Sequence, residues 1–478
     1  MSIVEAAKVG FGASGRNGGQ IVNSYSRDID VIERTVGPKQ AQLLGHMAFE
    51  GGRIIRERVA KYNIQCDLKD GGVFAALTSK QMGHLESQKR LWERFGHNQL
   101  ELMDQKRIRE VVACDSYVGG MLDMSGGHIH PLNLALGEAA AVESLGGIIY
   151  EQTPAVRIER GANPVVHTPQ GKVRAKFIIV AGNAYLGNLV PELAAKSMPC
   201  GTQVITTEPL GEELARTLLP QDYCVEDCNY LLDYYRLTSD KRLIFGGGVV
   251  YGARDPANIE AIIRPKMLKA FPQLKNVKID YAWTGNFLLT LSRLPQVGRI
   301  GDNIYYSQGC SGHGVTYTHL AGKVLAEALR GQAERFDAFA GLPHYPFPGG
   351  QMLRVPFSAI GAWYYSLRDL LGAGPAPPWG CAVRTRSVEG RVCLRKGHDG
   401  NDHLFRLFTA CFAAISCPAR DNSSAACNQR CLSTSAGNCR GGCTSTAQLP
   451  CSAHAEANAS NAIMCRRCMP ERSSTRCL

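Results

Sequence analysis

The chain opens MSIVEAAKVGFGASGRNGGQ (residues 1–20), and the reading of this stretch decides the fold. Ile3, Val4 and Glu5 read as the end of a buried strand with a carboxylate at its tip, and the Gly-rich, Arg-bearing loop GFGASGRNGG follows at residues 10–19. In dinucleotide-binding folds an acidic strand tip lies about 20 residues after a G-x-G-x-x-G turn, and its carboxylate holds the ribose hydroxyls. Only four residues precede Glu5, so that turn is not in this sequence.

Working outward, residues 1 to about 371 keep a regular punctuation. Apolar runs bounded by Gly, Pro or Asn mark strands: GGVFAAL, KFIIVAG, RLIFGGGVVY and NIYYSQG. Between them, helical spacing covers residues 40–62, 131–145, 258–271 and 318–329. This alternation predicts an α/β fold with a mainly parallel sheet. Residues 198–251 show strands without helices between them, which predicts a second, antiparallel sheet inserted into the first domain.

Past residue 372 the pattern stops. GAGPAPPWG is a break, and the remaining stretch holds twelve of the eighteen cysteines and a surplus of seven positive charges. The net charge of +11 therefore leaves about +4 on the first 372 residues, which gives no nucleic-acid signature. Cys427/Cys431, Cys439/Cys443 and Cys465/Cys468 are spaced as zinc thiolates can be, but an unstructured tail with no metal explains the same composition and is the expectation. No apolar run reaches the ~18 residues of a membrane span, since LFRLFTACFAAISC is short and broken by Arg406. No leader segment is evident, so a cytoplasmic location is expected.

Three segments carry chemistry. In the first loop, the small residues Gly12, Ala13, Ser14 and Gly15 allow a ligand close to the backbone, whose amides can face an anion or an isoalloxazine edge. Arg16 adds a planar cation, and Asn17, Gly18 and Gly19 permit a sharp turn. In the second, the strand of KFIIVAG ends at Gly182, which leaves room beside a dinucleotide, and Val156 upstream reads as a strand residue whose amide can meet an adenine edge. The third, NIYYSQGCSGHGVTYTHLAGK, runs a strand through Gly309, Cys310, Ser311, Gly312, His313 and Gly314 into a helix whose N-terminal amides favour negative charge. Taken singly, each also reads as an ordinary turn. His313 reads as a base or as a loop histidine beside a cofactor, and Cys310 as a buried thiol.

Together with GGHIHPLNLALGEA, YYRLTSDKRLIFGGG and LPHYPFPGG, these segments resemble the FAD-dependent amine and amino-acid oxidases of the D-amino-acid oxidase type, over residues 2–371. Within that family the likeness is to the gamma-glutamylputrescine oxidases of bacterial polyamine breakdown. The resemblance implies a discontinuous Rossmann-like FAD-binding domain (roughly 1–62, 126–197 and 295–345), lacking its first strand and helix, with an antiparallel substrate domain (roughly 63–125 and 198–294) and a tail at 373–478. It implies that Glu5 binds the adenosine ribose and that Ser14, Gly15, Arg16, Asn17, Gly18 and Gly19 line a non-covalent flavin. By the same likeness Val156 meets the adenine, Gly182 borders the dinucleotide, and Gly309, Ser311, Gly312, Gly314 and Val315 hold the pyrimidine end of the ring. Without the phosphate turn, weak FAD binding and poor folding are expected.

The implied reaction is oxidation of an amine C–N bond, with an iminium hydrolysed to an aldehyde and oxygen reduced to peroxide. His313 is the catalytic candidate; Tyr234, Tyr235 and Arg236 are the expected pocket walls, with His128 and His130 nearby. The stretch GGGVVYG carries no lysine of the kind that some relatives place beside the flavin, so slow oxygen use is expected. Two other readings stand beside this one. An oxidase or dehydrogenase of a glycine-like substrate would set Arg293 or Arg236 against the carboxylate. An inactive remnant would use its tail to bind metal or a partner. Metal analysis of the purified chain is expected to find less than one zinc per molecule; one or more would establish the thiolate site.

Overall fold

A computed structural model describes residues 1–370, with side chains to residue 363; the three cysteine pairs and the tail lie outside the described residues. The largest sheet has nine strands, in the order Ile279–Thr290, Ser197–Thr207, Leu243–Tyr251, Asp233–Leu237, Cys224–Asp227, Lys69–Ala76, Gly119–His128, Gln20–Ile21. Leu100–Asp104 adds to Gly119–His128 as the ninth. Every pairing in it is antiparallel except one: Cys224–Asp227 lies parallel to Lys69–Ala76. That single seam joins a sheet segment from residues 69–128 to one from residues 197–290.

The Rossmann-like part is smaller than the pattern predicts. Ser2–Val4 pairs in parallel with Ile148–Tyr150. Ile178–Val180 pairs in parallel with Ile304–Gln308, which continues antiparallel to Gln296–Ile300. The expectation of a mainly parallel sheet fails for a physical reason. The run GGVFAAL reads as a buried parallel strand because both of its faces are covered, yet helices cover an antiparallel sheet here just as well. The fold class itself, a mixed α/β domain with a large antiparallel sheet inserted, stands.

Two local expectations change. Residues 40–62 form two helices, Pro38–Met47 and Glu50–Tyr62, because Phe49 leaves helical geometry and stacks on His97 with ring centroids 4.2 Å apart. The strands after residue 198 are interrupted by a helix, Gly211–Leu218, whose eight residues are too few to show a clear period. Helix Gly314–Leu329 starts earlier than expected and packs on Glu50–Tyr62, where a Cβ on Gly51 would lie 2.2 Å from the Thr316 carbonyl oxygen.

Between the helices and the large sheet, one polar network is buried. The carboxylate of Asp123 accepts from Asn23 Nδ2 at 2.8 Å and from the Ser125 amide and hydroxyl, each at 3.0 Å, and pairs with His97 Nε2 at 3.0 Å. Burial alone would push Asp123 up, but the bonds from His97, Asn23 and Ser125 hold it below the ordinary carboxylate range. A carboxyl group held low stabilises the fold above its unfolded pKa of about 4 and loses that contribution as pH falls through the lower, folded value. Asp123→Ala is expected to cost roughly 3–5 kcal/mol at neutral pH by stranding these donors. The gap between wild type and variant in urea unfolding should narrow on acidification below pH ~4; a gap independent of pH would refute this account.

Candidate active site

Residues 10–19 are not an open loop. Ala13–Arg16 makes one helical turn, closed by Asn17, whose side-chain amide donates to the Ala13 and Ser14 carbonyls at 2.9 and 3.0 Å and accepts from the Gly19 amide at 2.8 Å. Two glycines are obligatory. A Cβ on Gly15 would lie 2.2 Å from the Gly10 carbonyl oxygen, and Gly19 sits at φ +80° with its Cβ position 2.1 Å from the Ile129 carbonyl oxygen.

The inserted sheet fixes this turn from above. Trp283 Nε1 donates to the Arg16 carbonyl at 2.9 Å, Arg236 Nε donates to the Gly18 carbonyl at 2.5 Å, and the Tyr234 ring packs on Gly18. The guanidinium of Arg16 lies over the Phe11 ring at 4.6 Å and has no carboxylate within ion-pair reach among the described residues.

The third segment closes on the first. Thr316 Oγ1 donates to the Val22 carbonyl at 2.6 Å, and His313 Nδ1 donates to the Ser24 carbonyl at 3.3 Å. Both segments also touch the strand Ile279–Thr290, Arg16 at Trp283 and the Ser311 amide at the Leu288 carbonyl. Five residues of strand separate these points, about 17 Å. Ser311 takes φ +52°, and Asn183, at φ +43°, accepts from the Gly309 amide at 3.0 Å, which ties the second segment to the third. His313 is the N-cap of Gly314–Leu329 without a side-chain cap, and the amides of Gly314 and Val315 find no acceptor in the chain. Burial pushes His313 down to about 4, so its ring is neutral at physiological pH. Cys310 is a buried, unpaired thiol, raised by burial.

Around these segments the chain fits a flavin nucleotide. Glu5, at the end of Ser2–Val4, uses Oε1 to accept the Ala7 amide at 2.9 Å and leaves Oε2 unengaged. The unsatisfied amides of Gly314 and Val315 suit an electron-rich ring edge. Phe11, Val156 and Tyr185 are exposed apolar groups beside them, and Tyr185 packs on Gly12. Gly182 is exposed at the end of its strand.

Several expected residues sit differently. Val156 precedes the strand Arg157–Glu159, and its amide donates to the His167 carbonyl at 2.8 Å, so that amide is not available to an adenine. Tyr235 points to the opposite face of the sheet from Tyr234, bonds to Tyr117 at 2.9 Å and stacks on Phe245, so it is core and not pocket. Arg236 is buried behind the first segment and positions Gly18; it does not line an open pocket. His130 caps the helix Pro131–Ser144 through Nδ1, and His128 Nε2 is held by the Asp222 carbonyl. Sequence reasoning passed over Asn183, Tyr185, Tyr230 and Glu226. The adjacent acids Glu226 and Asp227 inside an apolar strand were a signal, since carboxylates are costly there without partners.

The FAD dependent oxidoreductase profile matches residues 1–328. Gamma-glutamylputrescine oxidoreductase of Escherichia coli K12 is 66% identical over 371 residues, 77% of this chain and 87% of that protein. A probable oxidoreductase, OrdL, of Haemophilus influenzae is 40% identical over 374 residues, 77% of this chain and 86% of that protein. Among solved structures, L-proline dehydrogenase from P. horikoshii superposes with a TM-score of 0.59 at 19% identity, covering 78% of this chain and 91% of that one. Glycine oxidase from Geobacillus kaustophilus gives 0.58 at 18% identity, over 69% and 88%. The turn at residues 13–19 should be intolerant of added bulk. Gly19→Ala is expected to reduce the flavin-to-protein absorbance ratio severalfold and lower the Tm; an unchanged ratio would show that the turn does not hold the ring.

Proposed function

The chain belongs to the FAD-dependent oxidoreductase family, and from that membership we propose that it oxidises the terminal C–N bond of a gamma-glutamylated polyamine, gamma-glutamylputrescine, in the cytoplasm. The products are an aldehyde, ammonia and hydrogen peroxide. The observation that carries this reading is the 66% identity over 371 residues to a relative of that name. FAD, the cofactor of the family, accepts a hydride from the carbon beside nitrogen and passes the electrons to oxygen.

The chain's own residues bind and orient. The turn at residues 14–19 and the N-terminal amides of Gly314 and Val315 grip the ring and favour negative charge at its edge. Because Nδ1–H of His313 is committed to the Ser24 carbonyl, its neutral ring offers Nε2 as an acceptor, suited to orienting an N–H or a water. Tyr234 covers Gly18 and excludes water from that side.

The far end of the substrate carries an α-carboxylate, and Arg293 is suited to it. This residue lies in the turn between Ile279–Thr290 and Gln296–Ile300, half-buried at φ +59°, with its guanidinium 4.6 Å above the Tyr230 ring and bonded to the Tyr230 hydroxyl. No carboxylate of the described residues pairs with it, so its planar donors remain suited to a substrate carboxylate. Arg236 is already committed to backbone carbonyls and does not compete for this role.

With flavin-loaded protein, a peroxide assay is expected to respond to gamma-glutamylputrescine and not to glycine or sarcosine; the reverse preference would make the chain an amino-acid oxidase. Arg293→Met should raise KM for gamma-glutamylputrescine by about 10–100-fold while leaving n-butylamine, which has no carboxylate, unaffected. An equal loss on both amines would remove Arg293 from the carboxylate site.

A further inference from the structure

The strand Cys224–Asp227 sends alternate side chains to opposite faces of the sheet. Val225 points into the outer core with Tyr235, while Cys224 and Glu226 face the side on which the flavin turn sits. Glu226 lies in register between Tyr234 on one neighbouring strand and Phe74 on the other. Tyr234 is the ring that presses on Gly18, and the Val225 carbonyl accepts from Gln20 Nε2 at 3.0 Å. Glu226 is thus one residue from a direct tether to the end of the flavin turn.

A small cavity opens on this face, lined by Gln20, Val22, Asn23, Phe74, Asp123 and Glu226 among others. Its size, about 10 Å³, suits one water-sized group. No Lys, Arg or His side chain lines it. Of its two carboxylates, Asp123 is saturated by Asn23, Ser125 and His97. Glu226 is half-buried and has neither a hydrogen bond nor an ion pair to any described residue. Burial without a cation, and the nearby Asp227, push it up to about 8. A carboxylate kept in such a place is costly unless something positive arrives to pair with it.

We infer that Glu226 receives the reacting ammonium head of the substrate in this cavity and takes its proton. The N–H bond breaks, an O–H bond forms on the Glu226 carboxyl, and the nitrogen keeps the electron pair that C–N oxidation requires. No oxidant enters this step. A primary ammonium is close to water in size, and the rings of Phe74 and Tyr234 flank it with faces that attract cations. The inference rests on the proposed oxidation of a cationic amine, and it deepens that reading by naming the group that selects for charge.

The test uses flavin-loaded wild type and Glu226→Gln, titrated in a calorimeter with n-butylammonium and, separately, with the uncharged 1-butanol. Wild type is expected to bind n-butylammonium at least about tenfold more tightly than Glu226→Gln, with 1-butanol binding and flavin content the same in both. The variant's kcat/KM for gamma-glutamylputrescine should fall about 100-fold. Binding of n-butylammonium within twofold of wild type would overturn the inference. Should Glu226→Gln misfold, Glu226→Asp, which retracts the charge by one methylene, is expected to weaken n-butylammonium binding severalfold, and wild-type affinity in it would overturn the inference equally. Absence of peroxide from every amine with wild type would sink the proposed function alone, because the calorimetric comparison does not depend on turnover.

Discussion

The guanidinium of Arg236 is buried in the seam between the large sheet and the first Gly-rich turn, and Nε donates to the Gly18 carbonyl at 2.5 Å while Nη1 donates to the Leu237 carbonyl at 2.9 Å. Burial pulls this group down to about 10, with Cys224, Asp67 and Asp222 acting against it from farther off. A buried cation without a carboxylate in direct contact is an expensive way to gain stability. What it secures is position. Gly18 and Gly19 cannot slide relative to the inserted sheet, and the turn they end is the one that faces the flavin. Trp283, bonded to the Arg16 carbonyl, fixes the other end of the same turn. The separate parts of the chain share one site because these two side chains hold them in register.

With that register fixed, the alternation of side chains along the strands divides the work. On Asp233–Leu237, Tyr234 and Arg236 face the turn, whereas Tyr235 faces the outer core with Phe245 and Phe271. On Cys224–Asp227, Glu226 shares the face of Tyr234. One face of the sheet is therefore a stability surface packed with apolar groups, and the other carries the polar and charged groups that meet ligands.

The charges near the site are arranged sparingly. His313 is kept neutral by burial, Asp123 is neutralised by three donors, and Arg293 and Glu226 stand without a protein counter-charge. Unpaired charges of opposite sign, one in the turn after Ile279–Thr290 and one on the sheet face, match a molecule with an ammonium at one end and a carboxylate at the other. Both are half-buried, so their attraction for ligands is less screened than that of the surface ion pairs.

The sequence by itself determined the local pieces. The acid at the end of the first strand, the spacing of glycines at 15, 18 and 19, the strand running into Gly309–Gly314, and the helix starting at Pro131 follow from backbone sterics and short-range bonding, which a linear text records. The family likeness, and with it the cofactor, was legible for the same reason. Only the tertiary structure decided that Arg236 is an internal brace, that Tyr235 is core, that the Val156 amide is already bonded, and that Asn183 joins two loops. Those outcomes depend on which face of a strand is covered and on which carbonyl lies opposite a donor. Both are set by strand pairings between residues up to about two hundred positions apart, and no local pattern encodes them.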